Sequence, residues 1–192
     1  LVRSRGLGDV YKRQALGDVA LDVDAHGRPD AVEHVSLAEV QAARPGILEE
    51  PGHDLPAAAG ERGDREALRN TLTDECPCSR YWAAMWLGQL RDAEARHALE
   101  TLTDDPVPTV RVATHLALCL LGEHEAHLPG LAALIDEDNL IVGMYAMNAI
   151  ELTGILDNAV REAAQKALDN PYDGTQRYGR RLLAQCEEAG VV

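Results

Sequence analysis

The chain has 192 residues, of which 32 are acidic and 18 basic, and its formal net charge is −14. Nucleic acids and anionic membranes are bound through clustered Lys and Arg, yet Lys occurs only at Lys12 and Lys166. No apolar stretch is long enough to cross a bilayer. We therefore expect no nucleic-acid partner and no membrane span.

The composition also favours helices. Apolar residues make up 46 % of the chain, Ala and Leu lead them, and Phe is absent. Such a composition suits closely packed helices better than a β-sandwich, which prefers branched and aromatic residues. The four cysteines form no CxxC pair, which argues against both a disulfide framework and a zinc ribbon; they are Cys76, Cys78, Cys119 and Cys186.

The first 60 residues are irregular in sequence. Residues 4–14 read SRGLGDVYKRQ, which resembles the in-frame translation of a sequencing adaptor. On that interpretation the chain is a metagenomic fragment and residues 1–14 are an artefact. Residues 15–60 carry repeated Gly and Pro interruptions, with helical spacing over 32–43 only and a short alternating stretch at 19–23. They predict a poorly structured or partly helical segment.

Residues 61–190 follow a repeating pattern. Four segments, at 68–90, 99–122, 131–154 and 164–186, each contain a helical stretch, an acidic turn and a second helical stretch. The Asp that ends the first stretch recurs at steps of 30, 32 and 33 residues, at Asp74, Asp104, Asp136 and Asp169. Two helices and two turns fit that length. The pattern predicts an all-α fold, an α-solenoid of about four HEAT-like helix pairs.

Proline and glycine mark the expected helix ends. Proline follows the acidic turn in three segments, at Pro77, Pro106, Pro108 and Pro171. Because proline cannot continue a helix, each of these positions ends the first helix of its pair. Gly122 and Gly154 follow the second helices of two pairs, where a left-handed residue commonly ends a helix.

An Arg opens the second helix in three segments, at Arg80, Arg111 and Arg177, whereas the third segment has Gly143. Together with the recurrent acids, here Asp74 and Asp104, this suggests an Asp–Arg ladder between stacked pairs. The alternative is a set of solvated surface pairs, each contributing less than about 1 kcal/mol.

The stretch from Arg80 to Trp86 is rich in aromatic residues. Trp82 and Trp86 are four residues apart and share a helix face, next to Tyr81. They could pack between helices, or they could form an aromatic platform for a sugar or a partner domain. We therefore treat Tyr81, Trp82 and Trp86 as candidate structural or interface residues.

A family resemblance rests on these stretches. RYWAAMWLGQL at 80–90, VRVATHLALCLLG at 110–122 and DNPYDGTQRYGRRLLAQ at 169–185 resemble the helical-repeat tail of bacterial sulfatases of the arylsulfatase and heparan N-sulfatase type. Ser79 stands where that tail usually has Val. The resemblance implies a non-catalytic C-terminal region that supports an upstream catalytic domain or mediates interactions. It also implies calcium, a formylglycine and a periplasmic or extracellular location for that upstream domain.

No complete active site is predicted within the chain, so no catalytic, cofactor or metal residue is assigned and enzymatic activity is left open. The run Cys76-Pro77-Cys78-Ser79-Arg80 does not fit the sulfatase C/S-x-P-x-R motif, because its proline stands one residue too early. His124 and His127 lack the spacing of HExxH and are expected to be exposed, whereas His115 is expected to be partly buried. The alternative function is a stand-alone HEAT-repeat scaffold that binds another protein.

Overall fold

The structure, a computed structural model, describes residues 54–191. These residues lie within one compact unit. The predictions made for residues 1–14, and for most of the 15–60 segment, fall outside the described residues.

The described residues form helices and contain no strand, so the all-α prediction is confirmed. The α-helices are α1 (Asp54–Arg62), α2 (Arg65–Thr71), α3 (Pro77–Gln89), α4 (Arg96–Thr101), α5 (Pro108–Leu118), α6 (His124–Ala133), α7 (Leu140–Thr153), α8 (Asn158–Ala167) and α9 (Asp173–Glu188). Short 3-10 turns precede α4 (Ala93–Ala95) and follow α6 (Leu134–Asp136), and a π-type turn follows α5 (Cys119–Glu123).

The helices pack as four consecutive pairs in two layers. The pairs are α2 with α3, α4 with α5, α6 with α7, and α8 with α9. The second helices contact one another in chain order, α3 with α5, α5 with α7 and α7 with α9. We call α3, α5, α7 and α9 the second layer, and α2, α4, α6 and α8 the first layer. Helix α1 packs on α2 and α3.

The residues at each helix start explain why the helices begin where they do. Pro77 and Pro108 occupy the first turns of α3 and α5, where a missing N–H costs nothing and the fixed φ suits a helix. Three other helices begin with a capping side chain, whose oxygen accepts a hydrogen bond from a backbone N–H in the first turn. The capping residues are Asp64 for α2, Asn139 for α7 and Asp157 for α8.

The predicted glycine helix ends are confirmed. Gly122 has φ +100° and Gly154 has φ +70°, and both lie in the region that side-chain-bearing residues avoid. The first pair ends differently, because Arg91 takes φ +49° at the corresponding place after α3. The Asp92 N–H then donates to the Leu87 carbonyl and closes the helix end.

Replacing Arg91 by Gly and by Ala separates backbone strain from the bond that the Arg91 guanidinium donates to the Leu120 carbonyl. Both variants lose that hydrogen bond, but only the Ala variant keeps a side chain at the unfavourable positive φ of residue 91, because Gly adopts positive φ without strain. We expect the Gly variant to have a free energy of unfolding about 1 kcal/mol higher than the Ala variant, measured by urea denaturation. At Ala184, an exposed interior position of α9, the same comparison should favour Ala. Equal free energies of unfolding for the two Arg91 variants would show that the positive φ at this position is not strained.

The core lies between the two layers. Most first-layer and second-layer helices contribute a large side chain with at most 1 % of its surface exposed, namely Leu68, Leu87, Leu99, Leu118, Leu131, Ile150 and Leu182. The predicted burial of Cys119 and Cys186 is confirmed, at 5 % and 0 % exposure. Gly88 lets α3 approach α5 closely, since a Cβ there would lie 2.6 Å from the Ala117 Cα.

Helix α1 begins inside the segment predicted to be poorly structured or partly helical. Pro56 falls in its first turn, where proline is tolerated, and small residues follow. The predicted boundary of the repeat domain at residue 61 stays a prediction.

Candidate functional site

Arg80 ties the first two helix pairs together. It is the fourth residue of α3, and it holds the Asp105 carboxylate with two bonds, Nε to Oδ2 at 2.8 Å and Nη2 to Oδ1 at 3.1 Å. Its Nη1 donates to the carbonyls of Asp74 and Glu75 at 2.9 and 3.0 Å. Both partners of the ion pair are largely buried, with side-chain exposures of 12 % for Arg80 and 3 % for Asp105.

The protonation of this pair follows from its hydrogen bonds. Burial alone would raise the pKa of the Asp105 carboxyl, but hydrogen bonds from Arg80 and from the Val107 N–H outweigh burial and lower it. The hydrogen bond to Asp105 raises the pKa of Arg80 above its ordinary value. The pair is therefore charged throughout the physiological pH range, and each member depends on the other for compensation.

Arg111 repeats the contact one pair further along. It is the fourth residue of α5, its Nη1 donates to the Asp105 carbonyl at 2.9 Å, and its Nη2 pairs with Glu137 of the third pair. We call the two contacts Arg80–Asp105 and Arg111–Glu137 the arginine ladder.

The acid that pairs with Arg80 lies one residue further along the chain than the sequence predicted. The expected acid Asp104 is exposed, whereas its neighbour Asp105 receives Arg80. The loop of the second pair is one residue longer than that of the first, so counting from the preceding helix gives the wrong acid. Counting back six residues from the Arg identifies the corner residue whose carbonyl it caps, Asp74 for Arg80 and Asp105 for Arg111.

Asp74 is the corner residue of the first pair, but its carboxylate is not hydrogen-bonded to any arginine of residues 54–191. Its Oδ1 accepts the Cys76 N–H at 2.8 Å, as Asp105 accepts the Val107 N–H at 2.8 Å. Asp74 itself is exposed. These bonds from an acid to the N–H two residues on shape the turn before each second helix.

The fourth pair replaces the charges by amides. Asn170 accepts the Tyr172 N–H at 2.9 Å and donates through Nδ2 to the Ile135 carbonyl at 2.8 Å. Gln176, six residues later, caps the Asn170 carbonyl at 2.8 Å, as the ladder arginines do in their own pairs. Gly143 makes room for this arrangement, because a Cβ there would lie 2.7 Å from the Ile135 oxygen.

Arg177 does not occupy the ladder position that the sequence suggested for it. Its side chain is 71 % exposed and pairs with Asp173 one turn away on the same helix. Gln176 stands at the fourth position of α9 instead. A shift of one residue along the helix turns a side chain by about 100°, which is enough to move Arg177 off the inter-pair contact.

The aromatic stretch divides between packing and surface. The Trp86 indole lies against Gly60 of α1, where a Cβ would come within 2.1 Å of the ring, and its buried N–H finds no hydrogen-bond acceptor among the described residues. Trp82 is half-buried and meets Tyr81 edge to face, with ring centroids 5.3 Å apart. Of the two predicted roles, Trp86 therefore takes the packing one.

The second layer presents a partly apolar surface. Ile141 at the start of α7 is 45 % exposed, the most exposed large apolar side chain among the described residues. Met144 and Tyr145 follow it and are half-buried, as are Tyr81 and Trp82 on α3. We call these five residues the second-layer surface.

The outer end of the same layer is polar. The Tyr178 hydroxyl and the Asn148 amide oxygen are 3.2 Å apart, and Arg181 covers the Tyr178 ring at 4.5 Å while pairing with Glu151. These contacts join α7 to α9 and leave polar groups at the rim.

The expectation that His127 is exposed was wrong. Its side chain is only 15 % exposed, its Nδ1 lies 3.3 Å from the Nδ1 of His115, and its Nε2 lies 3.4 Å from Glu123. The predicted partial burial of His115 is confirmed, since its ring packs on Gly130. The turn after α5 brings α6 back against α5, and sequence spacing alone could not show that the two rings meet.

Burial lowers the pKa of His115 from 6.5 to about 4, with further lowering by the neighbouring His127 and Arg111. The unfolded chain thus binds a proton that the folded chain resists, and folding stability falls as the pH drops from 6.5 towards 4. Since the ring is only partly buried, screening reduces the effect, and we expect a loss of about 1–2 kcal/mol.

The comparison variant for this pH effect is His115→Gln, whose side chain does not titrate. Urea denaturation at pH 6.5 and pH 4.5 should show a larger loss of stability in the wild type than in the variant. An identical loss in both would contradict the assignment to His115.

The described residues contain no group of three or more His, Cys, Asp or Glu side chains placed to hold a metal ion. None of the described helices is long and apolar enough to cross a membrane. Residues 65–151 match the family description HEAT repeats, a range that covers the first two helix pairs and most of the third. No curated protein matches the chain. This part of the chain is accordingly a helical-repeat region.

Proposed function

We propose that the helix pairs form a non-catalytic interaction scaffold whose second-layer surface binds another protein or protein domain. The observation that carries the proposal is the partial exposure of large apolar side chains on two second-layer helices, Tyr81 and Trp82 on α3 and Ile141 on α7. Arrays of stacked helix pairs offer extended surfaces of this kind to partners. Half-exposed aromatic side chains are the usual anchors of such contacts.

The partner we favour is an upstream catalytic domain of the sulfatase type. The stretch that carries the resemblance to sulfatase tails contains Arg80, the residue that joins the first two pairs, and Tyr81 and Trp82 of the second-layer surface. A shared tail sequence would then preserve both the stacking of the pairs and the contact with the catalytic domain. Calcium and formylglycine would belong to that domain.

Reading the coding sequence upstream of residue 15 tests the sulfatase part. A continuous frame that enters a domain with a C/S-x-P-x-R motif would support it. A start codon near residue 15 would reject it and leave the scaffold proposal in place, with the partner to be sought as a separate chain.

Binding to the upstream domain, expressed separately, tests the surface. We expect Ile141→Glu in the full chain to weaken that binding about tenfold in calorimetric titration, as the loss of an apolar anchor does. Ala133→Glu is the matched control, because Ala133 is an exposed residue of α6 in the first layer. Equal affinity of the two variants would reject the second-layer surface as the binding face.

A further inference from the structure

His115 and His127 bring two ring nitrogens together between α5 and α6. His115 lies in the last turn of α5, and His127 is the fourth residue of α6. Their Nδ1 atoms are 3.3 Å apart, and their ring centroids are 5.5 Å apart. Two nitrogens bound to one tetrahedral zinc ion at the usual Zn–N distance lie roughly 3.3–3.4 Å from each other. The two Nδ1 atoms therefore already have the separation that a shared metal ion requires.

Glu123 orients the ring of His127. The Nε2 of His127 lies 3.4 Å from the Glu123 carboxylate, and Arg96 of α4 pairs with the same carboxylate. An anion beside Nε2 favours the neutral tautomer that carries its proton there, which leaves the lone pair of Nδ1 free. Histidines that bind a metal ion commonly direct their other ring nitrogen at a carboxylate in this way. The side of His127 that faces His115 is thus prepared to donate electrons.

His115 is held neutral and in place by its surroundings. Burial, followed by the nearby His127 and Arg111, lowers its pKa to about 4, although Asp104 opposes the change. Its ring fills the space beside Gly130, where a Cβ would lie 2.3 Å from the ring Cε1. A metal ion binds only an unprotonated imidazole nitrogen. At neutral pH, protons therefore compete little with a metal ion for His115.

We propose that His115 and His127 bind one divalent transition-metal ion of the zinc class through their Nδ1 atoms. The two rings supply two of the four ligands of a tetrahedral ion, and water supplies the others. The His115 proton that lies between the two Nδ1 atoms moves to Nε2 of the same ring by exchange with solvent. Neither the scaffold proposal nor the sulfatase proposal requires this site.

Calorimetric titration of the full chain with Zn²⁺ at neutral pH tests the site. We expect His115→Gln and His127→Gln each to weaken Zn²⁺ binding about tenfold or more, because one ring alone holds the ion poorly. His97→Gln is the matched control, since the His97 side chain is 93 % exposed, and its affinity should stay within about twofold of the wild type. Mg²⁺ prefers oxygen ligands and should produce no binding heat. Circular dichroism checks that each variant keeps its helices.

Nitrogen-15 NMR of the histidine rings in the wild-type chain gives a result that does not depend on how the variants fold. Of the seven histidines, two should shift at Nδ1 when Zn²⁺ is added, and both should then carry their proton on Nε2. The proposal would be overturned by unchanged ring signals, or by coordination through Nε2. Unchanged Zn²⁺ affinity in folded His115→Gln and His127→Gln would also overturn it, because the ion would then lie elsewhere in the chain.

Discussion

Arg80→Met lowers the free energy of unfolding by about 3–5 kcal/mol, the largest single effect expected in the described region. The substitution leaves the Asp105 carboxylate, with 3 % of its side chain exposed, without its bidentate partner. It also removes the donor from the carbonyls of Asp74 and Glu75. A buried charge without compensation costs much more than the ion pair contributes when intact. Urea denaturation of the full chain, followed by circular dichroism, measures the loss.

Two further variants test whether the expected loss comes from the unpaired Asp105 carboxylate. Arg177→Met removes an exposed pair on α9 and should change stability by less than about 0.5 kcal/mol. Arg80→Met combined with Asp105→Leu should recover most of the loss, because no unpaired buried charge then remains. A similar, small effect of Arg80→Met and Arg177→Met would contradict the structural role of Arg80.

Asn170→Asp destabilises the chain by about 2–3 kcal/mol at neutral pH, although it only replaces the side-chain NH2 group by an oxygen atom of similar size. The Asn170 Nδ2 donates to the Ile135 carbonyl at 2.8 Å, and the residue is 7 % exposed. A carboxylate at that place loses the donor and sets a negative oxygen against the carbonyl oxygen. The penalty should shrink in acid, where a protonated carboxyl can donate again.

The matched control for this substitution is Asn139→Asp. Asn139 is exposed, precedes α7 and accepts the Ile141 N–H through its side-chain oxygen, which an Asp side chain also does. We expect a change within about 0.5 kcal/mol for Asn139→Asp. Equal effects at the two positions would show that the Asn170 amide donor does not contribute to stability.

The helix pairs could be predicted from the sequence because their signals are local. Glycine after a helix, proline near a helix boundary and apolar spacing of 3.6 residues each act within one or two turns of the chain. Gly122 and Gly154 therefore marked helix ends that the structure contains. The sequence predicts that Pro77 and Pro108 stop the first helices, but those helices end earlier, at Thr71 and Thr101, and the two prolines begin α3 and α5. Arg91 gave no such signal, since an Arg rarely takes the left-handed conformation.

Contacts between pairs could be predicted only in outline. The sequence indicated an arginine and an acid at each turn, yet the acid that Arg80 reaches depends on loop length and on the rise between stacked helices. Asp105 was missed in favour of Asp104 for that reason. The meeting of His115 and His127 likewise depends on how the turn after α5 folds back. A count of six residues back from each second-helix arginine would have given the correct corner residue.

Arg80 joins the first two helix pairs through Asp105, and a pair of double-mutant cycles tests this contact most directly. One cycle combines Arg80→Met with Asp105→Ala, and the other combines Arg80→Met with Asp104→Ala. We predict a coupling free energy above about 1.5 kcal/mol for Asp105 and within about 0.5 kcal/mol of zero for Asp104. Stronger coupling to Asp104, or no coupling to either acid, would contradict the claim.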